Sequence, residues 1–279
     1  MSHVESPPVV VGVDGSPESV EAVDIAAVEA EVYQTNLRIV HVRTPSETAT
    51  VIRSRPRDGE RPRDGTRVLA EARRRVEDRH PGMTVEEHLA DGDAATILIE
   101  ESAHARLLVV GARGLGGFTG LLLGSTAVRV ATLATCPVMV VRGGTHRSGP
   151  VVVGLDDPAT SAAVSAFASR EAERRRVALH ALHIDNRGPS MEEHSTSDID
   201  VADRLSAWSR RWCDEFPDVE VSVTVVSGVE PADALTEASR SAGVVVIGSR
   251  CRFGSKMLGS TAYALVHRCD CPLVLVNDR

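Results

Sequence analysis

An internal repeat limits the folds open to this chain more than any other feature of its sequence. Residues 9–14 (VVVGVD) return almost unchanged as residues 151–156 (VVVGLD). A second apolar run follows each copy at the same spacing, and it contains His41 in one half and His183 in the other. Two apolar runs separated by a stretch of helical length indicate a β-α-β unit, so the chain carries this unit twice.

The repeat extends through the rest of both halves. Three further pairs of segments match in the same order: 107–111 with 244–248, 123–126 with 258–261, and 136–141 with 271–276. We therefore predict two copies of one domain of ordinary size, at residues 1–144 and 149–279. Residues 143–149 (GGTHRSG) have the composition of a linker.

Each half alternates short apolar runs with longer stretches of helical character. In the first half we predict strands at about 8–13, 37–42, 83–88, 107–111 and 137–142. Helices are predicted there at about 17–33, 63–79, 94–105 and 125–134. The strands of the second half are predicted near 150–155, 178–184, 219–226, 244–248 and 272–276. Because strands that alternate with helices favour right-handed crossovers, the fold class is α/β, with a doubly wound parallel sheet in each half.

The composition excludes several classes of protein. Of the 279 residues, 42% are hydrophobic and 25% charged, which is typical of a globular protein. A formal charge of −8 argues against nonspecific binding to nucleic acid or to an anionic membrane surface. No apolar run reaches transmembrane length and the N-terminus lacks a signal-peptide pattern, so we expect a cytoplasmic protein. Residues 45–64, which hold several Arg, Pro and Asp, are predicted to form a surface loop.

Cysteine, histidine and lysine usage narrows the chemistry further. Cys269 and Cys271 flank Asp270 in a spacing that fits neither a CxxC redox motif nor a zinc site, and we expect all five cysteines to be free thiols. The histidines form no metal-binding spacing, so no metal site is predicted. Lys256 is the only lysine, which excludes a P-loop with its Gly-Lys-Ser/Thr sequence.

A glycine-rich stretch at residues 111–126 (GARGLGGFTGLLLGST) is the strongest candidate for a binding site. It follows an apolar strand and precedes a predicted helix, an arrangement that presents backbone N–H groups to an anion. Its glycines remove side chains that would block such an approach. Ser125 and Thr126 are good N-cap residues, and their hydroxyls can also bind phosphate oxygens. The alternative is that the stretch is a plain connector.

Three candidate groups end neighbouring strands of the first half. Asp14 ends the first strand, Val42 the second and Gly111 the fourth. Ligands of open parallel sheets bind beyond the carboxyl ends of the strands, where the strand order reverses. If the first and fourth strands are neighbours there, a carboxylate, an apolar wall and an anion cradle face one crevice, as a nucleotide requires. Asp14 has a second reading as the N-cap of the helix that begins near Pro17.

The chain resembles the universal stress proteins, in a tandem form, over essentially its whole length. The phosphate and ribose signature of that family is Gly, two residues, Gly, nine residues, Gly, then Ser or Thr, and Gly111, Gly114, Gly124 and Ser125 match it at full spacing. The resemblance implies five-stranded sheets of order 3-2-1-4-5 with an adenine-nucleotide alpha-hydrolase-like fold. It also implies an ATP site, with or without Mg²⁺, and pairing of the two halves around a pseudo-twofold axis, to which a homodimer could be added. The candidate ATP-binding residues of the first half are Gly12, Asp14, Val42, Val110, Gly111, Gly114, Gly124, Ser125 and Thr126.

The second half keeps part of this pattern. Its candidate residues are Asp156, Ile184, Gly248, Gly259 and Ser260. Cys251 replaces the second glycine of the signature, and only seven residues separate it from Gly259. A shorter loop with a Cβ atom at that turn is a degenerate phosphate loop, and nucleotide binding there is a weaker expectation.

The residues favour a nucleotide-binding regulatory protein, and the resemblance implies that it binds ATP and acts in a stress response. The alternatives are an enzyme that slowly hydrolyses ATP or transfers its phosphate, and a protein-interaction scaffold that binds no nucleotide. No paired carboxylates and no activated nucleophile are evident, so no catalytic residue is predicted. An oxidoreductase is excluded by position, because the glycine cluster follows the fourth strand and not the first.

Overall fold

The computed structural model describes residues 6–43, 65–114, 124–142, 148–156, 162–185, 196–249 and 257–277. These residues belong to two compact units, Met1–Arg142 and Gly143–Arg279. The predicted surface loop at 45–64 lies outside the described residues. In the described part, no helix is both long enough and apolar enough to cross a bilayer.

The N-terminal unit alternates strands and helices as the sequence predicts. Its strands are β1 (Val9–Gly12), β2 (Leu37–Arg43), β3 (Val85–Asp91), β4 (Leu107–Gly111) and β5 (Val138–Val141). Its described helices are α1 (Pro17–Tyr33), α2 (Gly65–Arg79), α3 (Ala94–Glu101) and α4 (Ser125–Leu133), with a 3-10 turn at Ser102–His104. All strand pairs are parallel, in the order β3-β2-β1-β4-β5.

The C-terminal unit repeats this architecture. Its strands are β6 (Val151–Leu155), β7 (Leu179–Asp185), β8 (Val221–Ser227), β9 (Val244–Gly248) and β10 (Leu273–Val276). Its described helices are α5 (Ala162–Arg175), α6 (Thr196–Glu215), α7 (Pro231–Ser239) and α8 (Ser260–Arg268). The strands are again parallel, in the order β8-β7-β6-β9-β10. Both units therefore have the predicted 3-2-1-4-5 order.

Small and β-branched side chains form the core of the N-terminal unit. Val9, Val10 and Val11 of β1 are fully buried between β2 and β4. Burying each valine contributes about 1.5–3 kcal/mol relative to leaving it exposed. The face of α1 that contacts β1 and β4 is rich in buried alanine, which allows the helix backbone to approach the sheet closely.

Many element boundaries differ from the sequence prediction by one or two residues, and two differ by more. The third strand was expected at 83–88 but extends to Asp91, because the edge strand β3 keeps its register with β2 up to the pair Arg43 and Asp91. The Arg43 guanidinium donates two hydrogen bonds, of 2.8 and 2.7 Å, to the Asp91 carboxylate at that end. The helix expected at 94–105 ends at Glu101 and continues only as the 3-10 turn.

Candidate functional site

The strand order of the N-terminal unit reverses between β1 and β4. The strands β2 and β3 lie on one side of β1, and β4 and β5 lie on the other. The carboxyl ends of these parallel strands therefore leave a crevice, in which Gly12 lies opposite Val110 and Gly111 follows one residue beyond.

Asp14 and Gly114 meet at this crevice although 99 residues lie between them. A Cβ atom added at Gly114 would lie 2.4 Å from Oδ2 of Asp14, a separation that no real Cβ contact shows. The other oxygen, Oδ1, accepts a hydrogen bond of 2.9 Å from the backbone N–H of Ser16. The carboxylate is thus oriented by the turn after β1 and lies against the bare backbone of the turn after β4.

The other two glycines of the signature are close to the same place. A Cβ atom at Gly111 would come within 3.0 Å of the Glu18 backbone, so α1 packs directly on the end of β4. The Gly124 N–H donates to the carbonyl of Ala112 at 2.9 Å, and a Cβ atom at Gly124 would lie 3.7 Å from the Gly114 nitrogen. Residues 115–123, with the remaining glycines of the stretch, lie outside the described residues, but both ends of that segment are adjacent.

The helices around the crevice differ in how their N-termini are capped. The N-cap of α1 is Ser16, whose hydroxyl accepts a hydrogen bond of 3.2 Å from the Ser19 N–H. The N-cap of α3 is Asp93, which accepts from the Thr96 N–H at 3.0 Å. The N-cap of α4 is Gly124, and no side chain caps that helix. The first N–H groups of α4 are therefore the ones that no capping side chain occupies.

Two expectations about capping were wrong. Asp14 is not the N-cap of α1, because the chain makes one more turn, through Gly15 with its positive φ of 79°, before the helix begins at Pro17. Ser125 and Thr126 are not N-caps either, because both already lie in the first turn of α4 and Gly124 takes the cap position. Their side chains remain at the crevice end of α4, with Ser125 exposed and Thr126 half-buried.

The apolar candidates lie at the ends of their strands. Val42 and Val110 are 8% and 3% exposed, at the carboxyl ends of β2 and β4. A Cβ atom at Gly12 would lie 2.8 Å from Cδ1 of Leu98, so packing of α3 on the sheet accounts for that glycine. His41 is buried, and its Nδ1 lies 2.8 Å from the carbonyl oxygen of Val13, as expected of a packed histidine.

Three residues that contribute to the crevice were not predicted as site residues: Ser16, Ser19 and Arg113. The Ser19 hydroxyl accepts from the Gly15 N–H at 3.1 Å and donates to the Ser16 carbonyl at 2.9 Å, which fixes the turn that carries Asp14. The exposed Arg113 lies between two signature glycines, and its Nε is 3.9 Å from the Glu18 carboxylate. For Ser16 and Ser19, the sequence signal was two serines three residues apart at the start of a predicted helix, a spacing similar to that of a capping box. Arg113 had no signal beyond its position between glycines.

The C-terminal unit has the corresponding glycines at the end of β9 and the start of α8, but the contacts around them are longer. The Gly259 N–H donates to the Ser249 carbonyl at 3.2 Å, and Gly259 is the N-cap of α8 without a capping side chain. A Cβ atom at Gly248 would find its nearest neighbour, Val164 Cγ2, at an ordinary 3.6 Å. Asp156 is exposed and Ile184 half-buried, while Ser260 is exposed at the start of α8. Cys251, at the position of Gly114, lies outside the described residues.

One carboxylate near the crevice, Asp93 at the start of α3, has a shifted pKa. The hydroxyl and N–H of Thr96, together with the Arg129 guanidinium, hold the pKa of Asp93 below its ordinary value. Arg129 thereby joins the start of α3 to α4, through hydrogen bonds of 2.8 and 3.0 Å to the Asp93 carboxylate. Among the residues that the structure describes, no group of three or more His, Cys, Asp or Glu side chains could hold a metal ion.

Fold and crevice together define a tandem, doubly wound α/β protein with a glycine-rich turn at the switch point of its N-terminal sheet. The model of the universal stress protein family matches the chain twice, at residues 6–142 and 148–277. A universal stress protein of Mycolicibacterium smegmatis is 33% identical and the universal stress protein Rv2623 of Mycobacterium tuberculosis 31% identical. The alignments cover 97% of this chain in both cases, and 97% and 96% of the two relatives.

Solved structures agree on the fold. The crystal structure of a universal stress protein from Archaeoglobus fulgidus superimposes with a TM-score of 0.66 at 20% identity, covering 98% of each chain. The chain belongs to the universal stress protein family, in its tandem form.

Proposed function

We propose that the N-terminal unit binds ATP at the crevice between β1 and β4, and that the protein is a nucleotide-dependent regulator in a stress response. The observation that carries this proposal is the contact between the Asp14 carboxylate and the side-chain-free backbone at Gly114, 2.4 Å from where a Cβ atom would be. A carboxylate held against bare backbone at a switch point offers an acceptor for hydroxyls beside donors for anions.

The ribose end of the nucleotide belongs at Asp14. One of its oxygens accepts a hydrogen bond from the Ser16 N–H, which fixes the orientation of the carboxylate. Ionised carboxylates accept short, strong hydrogen bonds from hydroxyl groups. Val42 and Val110 provide apolar surface at the ends of the adjacent strands, which suits the flat base.

The phosphate end belongs at the start of α4. The N–H groups at the start of α1 are engaged by Ser16 and Ser19, whereas α4 begins with Gly124 and no capping side chain. A helix N-terminus attracts negative charge through its dipole and its unpaired N–H groups. The hydroxyls of Ser125 and Thr126 lie in the same first turn, and Arg113 adds a positive charge nearby.

Regulation is preferred to turnover because the sequence offers no pair of carboxylates to act as acid and base. When Mg²⁺ accompanies ATP, it is held mainly by the phosphates, as is usual for this ion. Slow hydrolysis without a dedicated base is the second candidate. For the C-terminal unit we propose a weaker site or none, since Gly248 makes no close backbone approach and Asp156 is exposed.

The direct test is to denature the purified full chain and chromatograph the released nucleotide. We expect close to one ATP per chain, together with a rise in melting temperature when ATP is added to stripped protein. Released ADP with steady turnover would favour the enzyme instead. Absence of nucleotide, combined with no melting shift at millimolar ATP, would contradict the proposal and favour a scaffold.

A further inference from the structure

Two cysteines of the C-terminal unit are in side-chain contact. Cys269 follows the last turn of α8, and Cys271 precedes β10. They are 4% and 1% exposed, and their Sγ atoms are 3.9 Å apart. The chain bends at Asp270 and Cys271, which brings the two side chains to the same side. The sequence spacing gave no reason to expect a reactive pair.

The N-terminal unit shows that the fold does not need this pair. Ala134, Thr135 and Cys136 occupy the positions of Cys269, Asp270 and Cys271 in the repeat. The surrounding structure is the same in both units: the Thr135 N–H donates to the Ser102 hydroxyl at 2.8 Å, and the Asp270 N–H donates to the Ser239 hydroxyl at 3.0 Å. An alanine therefore serves the packing at this position, and the second thiol is a feature of the C-terminal unit alone.

We propose that Cys269 and Cys271 form a site of reversible oxidation, at which a hydroperoxide converts the two thiols into one intramolecular disulfide. In the first step the Cys269 sulfur, having lost its proton, attacks the peroxide oxygen. The O–O bond breaks, and the products are a sulfenic acid and water or an alcohol. In the second step the Cys271 sulfur attacks the Cys269 sulfur and the S–S bond forms. The S–O bond of the sulfenic acid breaks, and its oxygen leaves as water. The two thiols lose two protons and two electrons, and the peroxide gains both.

The contact also decides which sulfur reacts first. The hydrogen bond from the Cys271 thiol lowers the pKa of Cys269, although burial opposes this, while the same contact and burial raise the pKa of Cys271. Cys136 contacts no second thiol among the described cysteines, and burial raises its pKa to about 12. Since the thiolate is the nucleophile, Cys269 attacks and Cys271 resolves, whereas Cys136 is inert.

Disulfide formation between Cys269 and Cys271, and entry of a peroxide to them, require only a local movement of the chain. The sulfur atoms must approach from 3.9 Å to the disulfide length of about 2.05 Å. Cys269 is the C-cap of α8, and its N–H bonds to the Leu265 carbonyl at 2.8 Å. Helix ends open locally at low free-energy cost, so fraying of this last turn admits a small peroxide without unfolding the unit.

The test is alkylation mapping of the full chain after brief treatment with hydrogen peroxide. Cleavage after Arg268 releases residues 269–279, which contain both thiols and no other cysteine, while Cys136 falls in the separate peptide 130–142. We expect peptide 269–279 to lose the mass of two hydrogen atoms and to take up no alkyl group. After reduction with dithiothreitol, it should regain the two hydrogen atoms and both thiols should become available for alkylation. We expect Cys136 to stay fully alkylated, with a rate of thiol loss at least roughly tenfold lower.

The variant Cys269→Ala gives the C-terminal unit the residue that the N-terminal unit already has. We expect it to fold normally, and we expect Cys271 to become as resistant to peroxide as Cys136. A Cys213→Ser background removes an exposed thiol that could form links between chains. The proposal is overturned if peptide 269–279 takes up two alkyl groups after peroxide treatment. It is equally overturned if the thiols are lost only as sulfinic acid or as links to another cysteine.

Discussion

At the scale of single residues, the space at one glycine decides where the Asp14 carboxylate can lie in the crevice. Gly114 faces the Asp14 carboxylate, and any side chain there must displace it, whereas Gly248 in the other unit has ordinary room for a Cβ atom. Alanine substitutions at these two positions therefore distinguish a specific loss of binding at Gly114 from a general effect of adding a methyl group.

Gly114→Ala is expected to lower ATP affinity by at least tenfold, or about 1.4 kcal/mol, because the displaced carboxylate loses its alignment with the ribose. Isothermal titration calorimetry on stripped protein measures this. Folding should survive, since the group that must move is the end of a side chain. Gly248→Ala is the control and should leave the affinity unchanged. Equal ATP affinities for both variants and the parent protein would show that the ribose does not bind at the Asp14 carboxylate.

The close contact at Gly114 also shows where sequence reasoning ends. The apolar runs predicted the strands, and the repeat predicted the shared order of both sheets, because both depend on patterns along the chain. That Asp14 and Gly114 lie in one crevice followed from the expected topology, but their direct contact did not. It depends on the turn fixed by Ser16 and Ser19, whose hydrogen bonds a pattern of residue types does not specify.

At the scale of elements, the N-terminus of α4 lacks the side-chain cap that would stabilise it. Gly124 has φ and ψ of −74° and 135°, which any residue can adopt, and yet no capping side chain is present. A helix without a side-chain cap gives up stabilisation that Asp or Ser would provide. Under the proposed function, the missing cap leaves these N–H groups available to a phosphate.

Gly124→Asp is expected to stabilise the nucleotide-free N-terminal unit by about 0.5 kcal/mol through capping and the helix dipole. It should also weaken ATP binding at least tenfold, because a carboxylate then occupies the anion position. Thermal melting and titration calorimetry give the two readings. Gly259→Asp makes the same change at α8 and should stabilise its own unit without affecting the N-terminal site. Unchanged ATP affinity in Gly124→Asp would contradict the assignment of α4.

The contact between α1 and α2 carries a pH-dependent part of the stability. The Asp24 carboxylate, whose side chain is 12% exposed, accepts hydrogen bonds of 2.6 and 2.7 Å from Arg75 and pairs with Arg79 at 2.7 Å. Burial opposes ionisation of Asp24, but the two arginines outweigh it and hold the pKa below its ordinary value. A lowered pKa in the folded state means that the stabilisation is present above the unfolded value of about 3.9 and is lost as the pH falls below it.

Asp24→Asn is therefore expected to lower the free energy of unfolding by about 1–2 kcal/mol at neutral pH, with the difference shrinking as the pH falls below about 4. Urea denaturation at the two pH values measures the effect. Asp91→Asn is the matched control, because the Arg43–Asp91 pair is exposed, and it should cost less than about 1 kcal/mol. A difference for Asp24→Asn that persists unchanged in acid would rule out the titration of Asp24 as its source.

At the scale of the whole molecule, the repeat supplies its own controls. Each unit has the same sheet order, the same buried histidine and the same glycine cap at its last helix. The units differ at two places: the N-terminal unit has the close contact between Gly114 and the Asp14 carboxylate, and the C-terminal unit has the paired thiols. Sequence comparison of the halves revealed the altered glycine signature, but only the structure shows that the two thiols of the C-terminal unit touch.

The most direct measurement is the stoichiometry and affinity of ATP binding in two variants that make the same change in the two units. Asp14→Ala removes the carboxylate that lies against Gly114, and Asp156→Ala removes its counterpart at the end of β6. We expect calorimetry on stripped protein to show close to one site in the parent chain and in Asp156→Ala, and an affinity lower by about tenfold or more in Asp14→Ala. Unchanged binding in Asp14→Ala, or its loss in Asp156→Ala alone, would show that the N-terminal crevice is not where this protein holds a nucleotide.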